Sequence, residues 1–339
     1  VINQVVHQQM FTDCKIIGVN VNPDEYHRAK TITERGSPEH PISWSALKEF
    51  AQCPQRWKAG YNSPGSEAKR YGNLIDTRLL TPKQFLKRYA IRPTEYTNDD
   101  GETKPWNANS KVCKQWLEEH KSMDIVSHKE VILADQAIQR LLADEVIAAF
   151  IEESEKQVLV QGFWEDKRSD LKIPVQALID LVPKGESQFA ACVGDLKTTK
   201  NAGVMVWQRF SFQMGYYIQA AFNLDMIRAA TQQDRNTFVF ILQENYTPYQ
   251  SAKRMLSQDF LTLGRAEVDR LISNYCACVK SNRWPGYDEH DESIQGSWSL
   301  VSPEPWMAQR AQFAPQFNFE PDSEEENEPT EEEMQEVVP

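Results

Sequence analysis

IDLVPKGESQFAACVGDLKTT, residues 179–199, decides the fold. It reads as the ends of two apolar runs joined through the turn former Pro183-Lys184-Gly185-Glu186. PVQALIDLVP (174–183) predicts the first strand and FAACVGDLKTT (189–199) the second. Asp195 and Lys197 are two residues apart, so a strand projects both from one face. Asp180 lies fifteen residues before Asp195 on the preceding run, and a hairpin between the two runs would set the carboxylates side by side. Two carboxylates on neighbouring strands, with the Leu196 carbonyl beside them, form a hard oxygen site for Mg²⁺ or Mn²⁺. A metal there can acidify a bound water and stabilise charge on a scissile phosphate. Lys197 can then orient that water or offset the charge of the transition state. The competing reading is a surface ion pair at a strand end, which is worth only about 0–1 kcal/mol.

Working outward, Val158–Glu165 predicts a strand before this pair, giving an antiparallel meander. Val204–Ala230 reads as one long helix, Thr237–Gln243 as a short buried strand and Asp259–Ser281 as another helix. On the N-terminal side, Ser43–Cys53 reads as a capped amphipathic helix stopped by Pro54, and Tyr71–Leu80 as a second helix. Residues 92–110 read as loop, and Ser110–His120 and Ala134–Ser154 as helices. The expected organisation is an irregular arm over 1–40, one α/β domain over 41–310 and a tail over 311–339. The domain is expected to be a central mixed β-sheet flanked by helices.

The charge is uneven. The net charge is −12, and the last twenty residues hold ten Asp/Glu and no Lys/Arg, which leaves −2 for residues 1–319. Such a tail is self-repelling and poor in apolar residues, so disorder is expected. Between Lys48 and Arg88, nine Lys/Arg face three Asp/Glu, with Trp44, Trp57, Tyr61 and Tyr71 in or beside the stretch. Basic and aromatic side chains together can follow a phosphate backbone, and Arg56, Lys58, Lys69 and Arg70 are candidate DNA contacts. Mean hydropathy is −0.59 and no apolar run approaches bilayer length, so neither a membrane span nor a membrane partner is expected. Val1–Val21 lacks the basic and apolar regions of a secretory signal, and a soluble, cytoplasmic protein is the expectation. Six scattered cysteines make no disulfide framework, six histidines form no zinc pattern, and neither a nucleophile elbow nor a phosphate-binding Walker loop occurs.

The run GDLKTT (194–199) after IDLVP (179–183) resembles the PD-(D/E)xK restriction-endonuclease-like core. More narrowly, the chain resembles phage and prophage exonucleases of the RecE, or exonuclease VIII, type. ISWSALKEFAQCPQRW (42–57), YGNLIDTRLLTPKQF (71–85), FWED (163–166), GYYIQAAFN (215–223) and WPGY (284–287) are similar to that family's segments, in its order. The resemblance implies a metal-dependent hydrolase acting on linear double-stranded DNA ends, generally 5′→3′, that leaves a 3′ single strand for recombination. It also implies a ring-like homo-oligomer and a single-strand annealing protein as partner. Carried over by position, Asp180 and Asp195 are the metal acids, Lys197 the motif lysine and Gln219 the glutamine of the following helix. Asp76 stands where the family has a metal-binding His, Asn223 where it has a Tyr, and Glu155 is the nearest counterpart of a family Glu. Cys53 with Cys276-x-Cys278 is too few for the iron–sulfur cluster of related nucleases, and buried thiols are expected instead. Two rival readings are a nuclease-like DNA- or partner-binding protein without turnover, and a structure-specific endonuclease.

Overall fold

A computed structural model of the chain describes residues 10–29, 32–61, 65–287, 294–295 and 298–299. The chain divides into two compact units, 1–287 and 288–339. In the second, β11 (Ile294–Gln295) pairs antiparallel with β12 (Trp298–Ser299).

The first unit is built on a six-stranded mixed sheet in the order β1-β6-β7-β8-β9-β10. Its strands are β1 (Phe11–Gly18), β6 (Ser154–Asp166), β7 (Leu171–Pro183), β8 (Cys192–Thr199), β9 (Thr237–Glu244) and β10 (Ser251–Met255). β6 and β7 form a long antiparallel hairpin whose alternate residues, among them Val158, Val160, Trp164, Ile173, Val175 and Ile179, are buried on one face, while Gln161, Phe163, Glu165 and Lys172 are exposed on the other. β8 meets β7 antiparallel at a single register pair, Leu181 with Gly194, and then runs parallel to β9 along its whole length. A parallel pair needs a helical crossover, supplied here by α9 (Val204–Gln213) and α10 (Tyr216–Thr231).

One face of the sheet carries α10, α11 (Gln258–Ser281) and α2 (Trp44–Gln52), packed on Val160, Val175, Ile179, Phe238 and Phe240. α10 is apolar almost all round, since it lies between the sheet and α11, and Phe222, Leu224 and Ile227 are fully buried. The other face carries α4 (Glu67–Leu80), α7 (His128–Leu142) and α8 (Glu145–Glu152) over Leu181, Leu196 and Ile241. The remaining elements are short: α1 (Pro23–Ala29), α3 (Pro54–Lys58), α5 (Phe85–Arg88) and α6 (Lys111–Glu119), with β2 (Tyr89–Arg92) parallel to β5 (Asp124–Ser127). β3 (Glu95–Thr97) and β4 (Thr103–Pro105) make a small hairpin. No helix among the described residues is long and apolar enough to cross a membrane.

The α/β core with a central mixed sheet is as expected from sequence, with four local differences. The stretch 1–40 is not irregular throughout: Phe11–Gly18 pairs with β6, and Phe11 packs edge-on to Trp164 and Phe222, at 4.9 and 5.3 Å. The helix expected over 204–230 breaks at Gly215, whose φ is +68°. A Cβ there would lie 2.8 Å from the Trp44 ring of α2, so only glycine permits both the left-handed turn and that contact. The helix expected over 134–154 is two helices, because Asp144 leaves α7 and caps α8 by accepting from the Val146 and Ile147 N–H groups. The loop expected over 92–110 contains the β3–β4 hairpin. The tail over 311–339 lies outside the described residues.

Candidate active site

The site forms where β7 and β8 part. A strand turns the N–H and C=O of one residue to the same side, and beyond the Leu181–Gly194 pair β8 has no β7 ladder partner. A side chain fills the gap: Asp180 of β7 accepts the Leu196 N–H through Oδ2 at 3.1 Å. The other oxygen, Oδ1, accepts from Gln157 Nε2 of β6 at 3.1 Å. Gln157 stands opposite Asp180 in register but takes a left-handed backbone, φ +47°, where the β6–β7 pairing skips a step. A non-glycine residue held in that conformation costs on the order of 1–3 kcal/mol, and such strain clusters at functional sites.

Asp195 and Lys197 project together from β8. Asp195 is 3% exposed; its Oδ1 accepts from Gln219 Nε2 of α10 at 2.7 Å, and its Oδ2 forms an ion pair with the Lys197 ammonium. That Oδ2 has no hydrogen bond of good geometry among the described residues. The Lys197 ammonium also lies 5.1 Å from the centre of the Tyr216 ring, at the start of α10. Burial alone would lower the pKa of the Lys197 ammonium, but the carboxylates of Asp195 and Asp180 outweigh it and hold it above the ordinary lysine range. The Asp180 carboxyl is pushed up to about 7 by burial and then by the Asp195 charge. Asp76, on α4, is driven well above the usual carboxylate range by burial and by Asp180.

Asp76, Asp180, Gln157 and Gln219 line one cleft of about 390 Å³, with Lys69, Arg88 and Asn223 on its walls. Asp76 and Asp180 thus repel each other around a recessed space, with the charge of buried Asp195 acting on both, and carboxylate oxygens are the donors a small divalent cation prefers. Among the described residues, no group of three or more His, Cys, Asp or Glu closes into a ready-made metal cage. The donor chemistry nonetheless suits such an ion: the carboxylates of Asp76 and Asp180 are held together by burial despite their like charge, with buried Asp195 close to both. Asp76→Asn removes one of the repelling charges. The variant is therefore expected to melt a few degrees above the wild type in EDTA, in a thermal denaturation series. An unchanged or lower melting temperature would mean that Asp76 is not strained by its neighbours.

The structure brings together Asp76, Asp180, Asp195, Leu196, Lys197 and Gln219. Of the four candidate DNA contacts, Lys69 lines the cleft. The other three are engaged elsewhere. Arg56 donates to Gln52 at 2.9 Å and stacks 4.4 Å over Tyr61. Lys58 pairs with Glu34 at 2.7 Å, and Arg70 pairs with Glu130 and donates to the Ile125 carbonyl at 3.2 Å. Glu155 is exposed on β6, opposite Val182, and is not among the residues that line the cleft. Cys53, Cys276 and Cys278 are buried, free thiols. Gln157 and Tyr216 are neighbours of the site that residue type alone does not reveal; for Gln157 the signal is its register opposite Asp180 across the hairpin.

Two acids on parting strands of a mixed sheet, a lysine two residues after the second acid and a helix glutamine bonded to it define a PD-(D/E)xK domain. The chain belongs to the family described as "PDDEXK-like domain of unknown function (DUF3799)", whose model matches residues 43–297. No curated protein matches it. A crystal structure from Eubacterium rectale, described as "Putative exonuclease", is similar at 15% identity and a TM-score of 0.49, covering 87% of this chain and 99% of that one.

Proposed function

We propose that the protein is a divalent-metal-dependent DNA exonuclease of the RecE type that hydrolyses phosphodiester bonds from the ends of linear duplex DNA, 5′→3′. The observation that carries this reading is the convergence of Asp180, Asp195 and Lys197 at the parting of β7 and β8, braced by Gln157 and Gln219. A scaffold that only bound DNA would need no such buried, mutually repelling acids.

Asp180, Asp195 and the Leu196 carbonyl are the groups that would hold Mg²⁺, or Mn²⁺, with Asp76 completing the set as an oxygen ligand in place of a histidine. When bound, such an ion supplies an acidified water and positive charge against the scissile phosphate. The chain's own residues do the rest. Gln219 fixes the rotamer of Asp195 through its 2.7 Å hydrogen bond, and Gln157 does the same for Asp180 at 3.1 Å. Lys197 stays protonated beside them, so its ammonium can donate to the attacking water or to a non-bridging phosphate oxygen. Lys69 on the cleft wall is placed to meet a neighbouring backbone phosphate. The 3′ single strand left behind would pass to an annealing protein, and a ring-like homo-oligomer in the cytoplasm would keep the enzyme on the duplex.

The test is digestion of 5′-labelled and 3′-labelled linear duplex and of closed circular duplex, with Mg²⁺, Mn²⁺ or EDTA. Metal-dependent release of 5′-terminal nucleotides from linear DNA alone is expected. Cutting of the closed circle would make the protein an endonuclease. Salt-sensitive binding without hydrolysis in any metal would make it a binding protein.

A further inference from the structure

A second ammonium group enters the site from a different element. Lys48 is on α2, one helical turn after Trp44, whose ring lies against Gly215 at the junction of α9 and α10. That close approach sets α2 against the start of α10, and the Lys48 ammonium lies 5.9 Å from the centre of the Tyr216 ring. The Lys197 ammonium lies 5.1 Å from the same ring. Tyr216 is held in place by Trp207, which stacks on it at 5.6 Å, and by Phe240 at 5.8 Å. The two lysines are not equivalent. Lys197 has a carboxylate partner in Asp195. No hydrogen bond or ion pair among the described residues involves the half-buried Lys48 ammonium; its charged neighbours are Lys197, which repels it, and Glu49, the next residue on α2.

A half-buried ammonium beside a second ammonium is unfavourable unless an anion bridges them. A DNA phosphate is such an anion, because its two non-bridging oxygens can each accept from a different cation. Resting on the nuclease reading above, we infer that Lys48 is a substrate-binding residue: its ammonium and that of Lys197 hold the non-bridging oxygens of one DNA phosphate beside the Tyr216 ring. Lys48 thereby sets where the backbone sits relative to Asp180 and Asp195. Tyr216, held by Trp207 and Phe240, is the fixed ring that both ammonium groups approach.

Lys48→Met, which keeps most of the aliphatic stem, and Lys48→Arg, which keeps the charge, provide the test. Binding of a linear duplex oligonucleotide is followed by fluorescence anisotropy in EDTA over a series of salt concentrations, and hydrolysis is followed separately with Mg²⁺. Losing one phosphate contact makes the slope of log K against log salt shallower by about 0.9. Lys48→Met is expected to show that change and a roughly ten- to hundredfold loss in kcat/KM, the scale of a charged hydrogen bond. Lys48→Arg is expected to recover the slope and most of the rate. A Lys48→Met protein with the wild-type slope and wild-type rate overturns the assignment. So does a loss of rate with an unchanged slope, which a merely structural role would give. Failure of the nuclease reading appears separately, as absence of hydrolysis by the wild type, and the salt slope still decides Lys48 in that event.

Discussion

Lys197→Met is expected to hydrolyse linear duplex about a thousandfold more slowly than the wild type. That is roughly 4 kcal/mol of transition-state stabilisation, within the range for a positioned acid–base group. Methionine keeps the length of the stem and removes only the cation. The ammonium has two jobs in the proposed mechanism: it would face the reacting phosphate, and it offsets the charges of Asp195, Asp180 and Asp76. The same substitution is therefore expected to lower the melting temperature in EDTA, since three acids are left without their nearest cation. Added Mg²⁺ is expected to narrow that gap, because the deficit is positive charge rather than packing. Paired measurements of rate and of melting with and without metal check both parts. A near-wild-type rate would remove Lys197 from the mechanism, and a melting gap that Mg²⁺ leaves unchanged would remove the acids from metal binding.

Gly264→Val is expected to be the most damaging single substitution for stability among those considered. A Cβ at Gly264 of α11 would lie 2.4 Å from the Tyr217 carbonyl oxygen and 2.9 Å from the Ala221 Cβ, both on α10. The nearest of these atoms belongs to backbone, so no side-chain rotation relieves it and the two helices must separate. Overpacking of this kind costs about 3 kcal/mol, and a valine adds a β-branched side chain to a helix interior. In a domain of this size that lowers the melting temperature by roughly 6–12 °C. The effect extends to the site, because Gln219 lies on α10 between Tyr217 and Ala221 and its bond to Asp195 depends on where α10 sits. Thermal denaturation reads the first effect, and hydrolysis well below both melting temperatures reads the second. A variant melting within a degree or two of the wild type would show that the α10–α11 crossing is looser than described.

The part of the sheet that carries the candidate site was legible in the sequence for a definite reason. Asp180, Asp195 and Lys197 interrupt runs that are otherwise apolar, and buried charges in a strand stand out against their surroundings. Gln219 followed from the resemblance of GYYIQAAFN (215–223) to the family's helix. What stayed hidden depended on contacts distant in sequence. The break at Gly215 is set by Trp44, and nothing near Gly215 signals that a ring will press on it. β1 lacks clean alternation: it is an edge strand with its register shifted around a left-handed Asp13, and it is buried only at Phe11 and Cys14. The helices α7 and α8 share one apolar rhythm, and only the cap geometry of Asp144 divides them. Among the cations, sequence could not separate those that reach the cleft from those taken by Glu34 and Glu130, because both kinds occupy the same basic stretch.

The single pairing between β7 and β8 has a consequence for how this sheet holds together. Among the described residues, Leu181 with Gly194 is the one ladder pair joining an antiparallel half, β1-β6-β7, to the half that carries β8, β9 and β10. Just beyond it, the stitch across the seam is Asp180 accepting the Leu196 N–H, so a proposed metal-binding acid stands in for a missing rung. Cohesion and chemistry therefore draw on the same carboxylate. A change that frees Asp180 for a ligand also loosens the seam, and a change that tightens the seam takes from Asp180 the oxygen it needs. Selection on either property is read by the other, which ties the evolution of this site to the mechanical integrity of the sheet.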